Sequence, residues 1–106
     1  MRIAYYQTGR GHRPVEEYIL SLPWRDQAAV EAALRLLTAH GLGAPGLVCR
    51  AIAGKLWELK VGPHRIFYVV VVGPEMVLLH AYRKQSKKAP KRELDLARQR
   101  MKEVLG

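Results

Sequence analysis

Apolar positions recur along this chain with two periods, and the changes from one to the other divide it into three stretches. From Pro14 to His40 the period is helical. From about Cys49 to Tyr82 the apolar residues crowd into short runs with strand spacing, and after Pro90 the helical period returns. Val15, Tyr18, Ile19 and Leu22 predict a first helix, with Pro14 in its first turn, where a missing N–H costs nothing. Pro23 ends or kinks it. Trp24 to His40 predicts a longer amphipathic helix. There Val30, Ala33, Leu34 and Leu37 form the buried stripe, while Arg25, Asp26, Glu31 and Arg35 lie off it. Gly41 and Gly43 supply the stop, and GLGAPGL reads as a loop without regular structure. Ahead of the helices, RIAYYQ (residues 2–7) reads as a short opening strand, followed by a loop over Thr8 to Arg13.

The middle stretch predicts strands. Signals start near Cys49, and in KLWELKV (residues 55–61) Trp57, Leu59 and Val61 share one face. Leu56, Glu58 and Lys60 share the other. Gly62-Pro63 is turn chemistry. Arg65 to Val72 is too uniformly apolar for one wet face, which predicts a central strand covered on both sides. Gly73-Pro74-Glu75 turns the chain again, and Met76 to Tyr82 gives another strand. Pro90 opens a last helix whose stripe is Leu94, Ala97, Met101 and either Val104 or Leu105. The order β-α-α-β-β-β-α describes an α+β domain over residues 1–106, with a mainly antiparallel sheet packed against helices. Two helices on one face would leave the opposite face open.

Composition narrows the class. At 106 residues, 49% hydrophobic and 25% charged, the chain suits one globular domain and is too short for two. Cys49 is alone, so no disulfide framework or CxxC metal site is expected, which fits a reducing compartment. The opening MRIAYYQTGRGHR lacks the apolar core of a secretory signal, and the run Ile66 to Val72 is far shorter than a membrane span. A cytoplasmic protein with no membrane association is the expectation. His12, His40 and His64 are dispersed, without metal-ligand spacing. Ser86 has no His/Asp arrangement, and no GxGxxG or Walker pattern is present, so no cofactor is expected.

Charge changes the picture most. The net charge is +9, and residues 83–102 alone hold nine cations against Glu93 and Asp95. Such a field attracts phosphate backbones with a strong salt dependence. A solvated helix face, or a surface covered by an acidic protein partner, is the blander account of the same charge.

The ordered set LWELK, HRIFYVV and LLHAYRKQSKKAPKREL, followed by an amphipathic helix, resembles the RelE/ParE superfamily of bacterial toxins. It is most similar to the HigB-like branch often encoded by phages and prophages, and the resemblance covers almost the whole chain. It implies a small microbial-RNase-like domain, metal-independent cleavage of mRNA on the translating ribosome, and a cognate helix-turn-helix antitoxin as partner. Position by position, Glu58 and Lys60 fall on the strand that carries the catalytic polar pair in RelE-type enzymes. Arg65 matches the Arg opening the next strand, and Arg83 and Lys84 match the basic pair after the last strand. Glu58 stands where RelE has a Lys, and the terminal catalytic Tyr has no counterpart.

The chemistry can be stated without the family. Metal-free RNA cleavage needs a base for the 2′-OH, cations for a dianionic phosphorane, and an acid for the leaving 5′-oxygen. Glu58 and Lys60 lie about 6–7 Å apart along one strand face. The candidate roles are 2′-OH activation for Glu58 or Lys60, phosphate stabilisation for Arg65 and Arg83, and proton donation for His80. Lys55, Lys84, Lys87, Lys88 and Lys91 are candidates for phosphate binding, and Tyr82 for base stacking. Against this stand an exposed ion-pair network of little energetic worth and, for His80, a satisfied core histidine. Two other functions fit the same sequence: a ParE-type inhibitor of DNA gyrase, and a non-catalytic nucleic-acid-binding or phage regulatory module.

Overall fold

The computed structural model describes every residue except Pro74 and Ala89, and every other side chain except that of Leu42. Pro74, read above as part of a turn, lies outside the described residues. The elements are β1 (Arg2–Tyr5), α1 (Pro14–Leu20), α2 (Trp24–His40), a 3-10 turn (Gly41–Gly43), β2 (Val48–Ala53), β3 (Leu56–Val61), β4 (His64–Val71), β5 (Glu75–Arg83) and α3 (Lys91–Leu105). They build a small α+β fold of the RelE-like kind, with one sheet in the order β1-β5-β4-β3-β2. β1 runs parallel to β5, and every other pairing is antiparallel. Two features go beyond the predicted order. The strand signal near Cys49 is a separate edge strand, β2, and GLG within the predicted loop closes a 3-10 turn.

The helical stripes bury as their spacing predicts. Val15 and Ile19 of α1, with Val30, Ala33, Leu34 and Leu37 of α2, pack on Leu59, Ile66, Tyr68, Met76 and Leu78 of the sheet. Each fully buried aliphatic side chain contributes about 1.5–3 kcal/mol. Gly41 ends α2 at φ +74°, a conformation that side chains with a Cβ rarely adopt. A polar tie runs through this layer. His64, 2% exposed, joins the Tyr18 hydroxyl through Nδ1 at 2.7 Å and the Asp26 carboxylate through Nε2 at 2.8 Å. One side chain of β4 thereby fastens both helices to the sheet.

The expectation of an entirely open second face needs correction. α3 lies on that face, placing Ala97, Leu94, Met101 and Val104 against Phe67, Val69, Val77, Leu79 and Tyr82. Its apolar stripe requires a sheet surface to cover. The helix sits chiefly over β4 and β5; Leu56 of β3 is buried in the same cluster, and the part of the face at Val48, Arg50 and Lys60 stays exposed. β4 is covered on both sides, as its unbroken apolar run demands.

A bulge in β5 sets the last ingredient. Phe67 pairs with His80 but Tyr68 pairs with Leu78, so Leu79 is the extra residue. Leu79 and Tyr82 belong to the α3-side cluster and Ala81 to the other, while the rings of His80, Phe67 and Tyr82 lie nearly parallel in a triangle with centroids 5.8–6.5 Å apart. The bulge turns consecutive residues, Leu79 and His80, to one side.

Candidate active site

Strand alternation decides which polar residues meet. Glu58 and Lys60 point to the α3 side of β3, and the register sets Lys60 opposite Arg65 of β4 and Glu58 opposite Phe67. On the outer flank, β2 sets Arg50 opposite Glu58 and Val48 opposite Lys60. These residues and Lys84 line a cavity of about 170 Å³ on the uncovered part of the face: Val48, Arg50, Glu58, Lys60, Arg65 and Lys84. Four cations surround one carboxylate.

Each of these groups is held differently. Glu58 is buried, and its Oε1 accepts a hydrogen bond from Arg50 Nη2 at 3.2 Å. Arg65 is 8% exposed, and its Nη1 donates to the carbonyls of Gly62 at 2.7 Å and His64 at 3.1 Å. The β3–β4 turn, with Gly62 at φ +56°, presents that carbonyl and so fixes the guanidinium. Lys84 is tethered through its backbone, whose N–H donates to Pro63 O at 2.8 Å. Lys60 is exposed, with its ammonium in solvent. The arrangement is a buried carboxylate and a buried guanidinium in the floor, with the exposed Lys60 and the half-buried Lys84 beside them.

Tyr82 stands beside this floor. Its ring stacks on Phe67 at 5.8 Å, and its hydroxyl is buried without a hydrogen-bond partner among the described residues. Burial first, and then the charge of Glu58, push its phenol above the usual range, with Arg65 and Arg50 opposing.

Glu58, Lys60, Arg65 and Lys84 of the sequence candidates therefore converge. Others do not. Arg83 pairs with His64, on the opposite side of the sheet from Arg65, so the two arginines do not share the surface expected of them. One residue of strand alternation separates Arg83 from Lys84, and Lys84 reaches the cavity. His80 faces the right side but is engaged: Nε2 meets Glu93 Oε2 at 3.0 Å, and Nδ1 lies 3.4 Å from Arg100 Nη1. Lys55 is exposed in the β2–β3 turn, and Lys87 and Lys88 are exposed in the β5–α3 loop. Lys91 opens α3 at 4.0 Å from Asp95. None of these four lines the cavity. Arg50 was missed by the sequence reading. VCRAIA carries its one polar residue among mixed small and apolar neighbours, too weak an alternation to reveal which face Arg50 takes.

The family model described as Phage derived protein Gp49-like (DUF891) matches residues 17–102. The chain belongs to this Gp49-like family. The matched span runs from α1 into the last turns of α3 and includes every residue of the cavity. No curated protein matches the chain. Among the described residues of this Gp49-like protein, no helix is long and apolar enough to cross a membrane.

Proposed function

We propose that this Gp49-like protein is the toxin of a type II toxin–antitoxin pair, of the HigB-like kind, and that it cleaves mRNA as a metal-independent endoribonuclease on the translating ribosome. The observation that carries the reading is the convergence of Glu58, Lys60, Arg65 and Lys84, with Arg50, in one small cavity beside a strongly basic surface. Those residue types supply what transesterification of RNA requires. Glu58 takes the proton of the 2′-OH, and the 2′-oxygen attacks phosphorus. Arg65, Arg50 and Lys84 balance the dianionic phosphorane. The P–O5′ bond then breaks, Lys60 protonates the departing 5′-oxygen, and the products are a 2′,3′-cyclic phosphate and a 5′-hydroxyl. Proton donation passes from His80 to Lys60 because the His80 ring is occupied by Glu93 and Arg100.

The basic β5–α3 loop and α3 extend the positive field beyond the cavity, which suits a ribosome-bound message. A helix-turn-helix antitoxin would silence the enzyme by covering this surface or the long helix α2. The test is inducible expression in bacteria with mapping of mRNA 5′ ends, comparing the natural chain with Lys60→Ala/Lys84→Ala. New translation-dependent ends are expected with the natural chain. The folded double variant should lose them by at least about 100-fold. Growth arrest with intact mRNA and inhibited supercoiling would instead identify a gyrase inhibitor. Neither arrest nor cleavage would leave a binding module.

A further inference from the structure

A second cleft, of about 690 Å³, opens around the end of β5 and is lined in part by Tyr18, Tyr82, Arg83, Gln85, Ser86 and Arg92. It adjoins the proposed active site, because successive residues at the strand end face its two hollows: Arg83 looks into the cleft and Lys84 into the cavity. Tyr82 belongs to the cleft wall while its hydroxyl lies in the field of Glu58 and Arg65 of the cavity. A long anion that places one phosphate against Arg65 and Lys84 and continues over the strand end brings its next unit into the cleft.

The chemistry of the cleft differs from that of the cavity. Arg83 and Arg92 supply two exposed cations, and the one carboxylate of the wall, Glu93, is already bonded to His80 at 3.0 Å. Tyr18, half-buried, supplies aromatic surface and is held in place by its 2.7 Å bond to His64, while Tyr82 is buried at the back of the cleft and offers little. Gln85 supplies an exposed side-chain amide, and Ser86 a hydroxyl oxygen that can accept while its proton is donated to Lys88 O at 2.8 Å; such groups read the edges of an unstacked base. Two cations, aromatic wall and neutral hydrogen-bonding groups together match a nucleotide rather than an inorganic anion. A bare phosphate would leave the aromatic wall and the amide unused.

We infer that this cleft is a nucleotide subsite: it takes the nucleotide next to the scissile phosphate of a single-stranded RNA, and Gln85 and Ser86 set a base preference there. Arg83 and Arg92 hold its phosphate, and the Tyr18 ring receives the base. The inference rests on the ribonuclease reading for the identity of the neighbouring phosphate, but not for the binding itself. It gives Arg83 a positioning role outside the reacting centre.

The test uses the full chain and short, fully 2′-O-methylated oligoribonucleotides, which cannot be cut, varied at one position through all four bases and followed by fluorescence anisotropy. The natural chain should prefer one base by about tenfold, the scale of one good base contact. Gln85→Ala/Ser86→Ala should flatten that preference while keeping most of the affinity. Arg83→Ala and Arg92→Ala should each weaken all oligonucleotides alike and lower the salt slope by about one. A base preference that survives Gln85→Ala/Ser86→Ala unchanged, or no preference in the natural chain, would overturn the inference. Cleavage of mRNA in a translation extract is measured in parallel. Cleavage whose sequence preference ignores Gln85 and Ser86 keeps the ribonuclease and sinks the subsite. A Gln85-dependent base preference in a chain that never cuts keeps the subsite and sinks the ribonuclease.

Discussion

Single residues divide the sheet's second face into a polar cavity and an apolar layer under α3. Glu58 is a carboxylate kept buried with Arg50 as its ion-pair partner, and Arg65 is a guanidinium spent partly on the turn carbonyls. Burying either charge costs desolvation free energy. Tyr82 carries the same signature, a buried hydroxyl without a partner among the described residues. Removing that oxygen should relieve an unmet hydrogen bond. Tyr82→Phe is expected to raise stability by about 1 kcal/mol in urea unfolding, and an unchanged or lower midpoint would show that the hydroxyl is satisfied in solution. Much of this was legible beforehand. The i, i+2 spacing in LWELK correctly put Glu58 and Lys60 on one face, because a strand has a strict period of two. The choice between Arg83 and Lys84 was not legible, since adjacent strand residues face opposite ways and only the register of β5 against β4 says which is which.

Elements translate those positions into a site. The stripe Val30, Ala33, Leu34 and Leu37 announced α2 and all four residues are buried, because a helix that long must cover a sheet. The uniform run of β4 announced its central place for the same reason. Less visible was α3, whose stripe was read correctly but whose side of the sheet is fixed by the β5–α3 loop rather than by any local pattern. The bulge at Leu79 was invisible too, since an extra residue leaves no trace in an apolar run. The tie through His64 was equally hidden, as its partners Tyr18 and Asp26 lie on two other elements. His64→Phe should cost about 2–4 kcal/mol, because it strands a hydroxyl and a carboxylate at the helix–sheet junction. Tyr18→Phe should cost only about 1 kcal/mol. Equal effects of the two substitutions would place the weight of the junction on packing instead.

Over the whole molecule, charge and fold point the same way. The apolar layers hold two faces of one sheet, and four cations, Arg50, Lys60, Arg65 and Lys84, meet where α3 leaves one face uncovered. The core also has a defined alkaline weakness. Burial raises the phenols of Tyr5, Tyr18, Tyr68 and Tyr82 above 10.0, most strongly at Tyr68, where Cys49 adds to it. In the unfolded chain these phenols ionise near 10.0, whereas in the folded protein they keep their protons. Stability from this source is therefore complete below about pH 10 and lost as pH rises toward the folded values. Urea midpoints should hold between pH 8 and 9.5 and fall steeply above 10, in step with tyrosinate absorbance. A midpoint independent of pH across that range would contradict the buried phenols.

If the cavity between β2, β3 and β4 performs the proposed 2′-OH chemistry on mRNA, one missing 2′-hydroxyl stops it. The decisive measurement is cleavage, in a translation extract, of a message carrying one 2′-deoxynucleotide 5′ to the mapped cut, beside the all-ribose message. The ribose message should be cut to a 2′,3′-cyclic or 3′-phosphate end and a 5′-hydroxyl, and the single deoxy substitution should abolish cutting at that position. Cutting that persists there, or products that carry a 5′-phosphate, would contradict that chemistry.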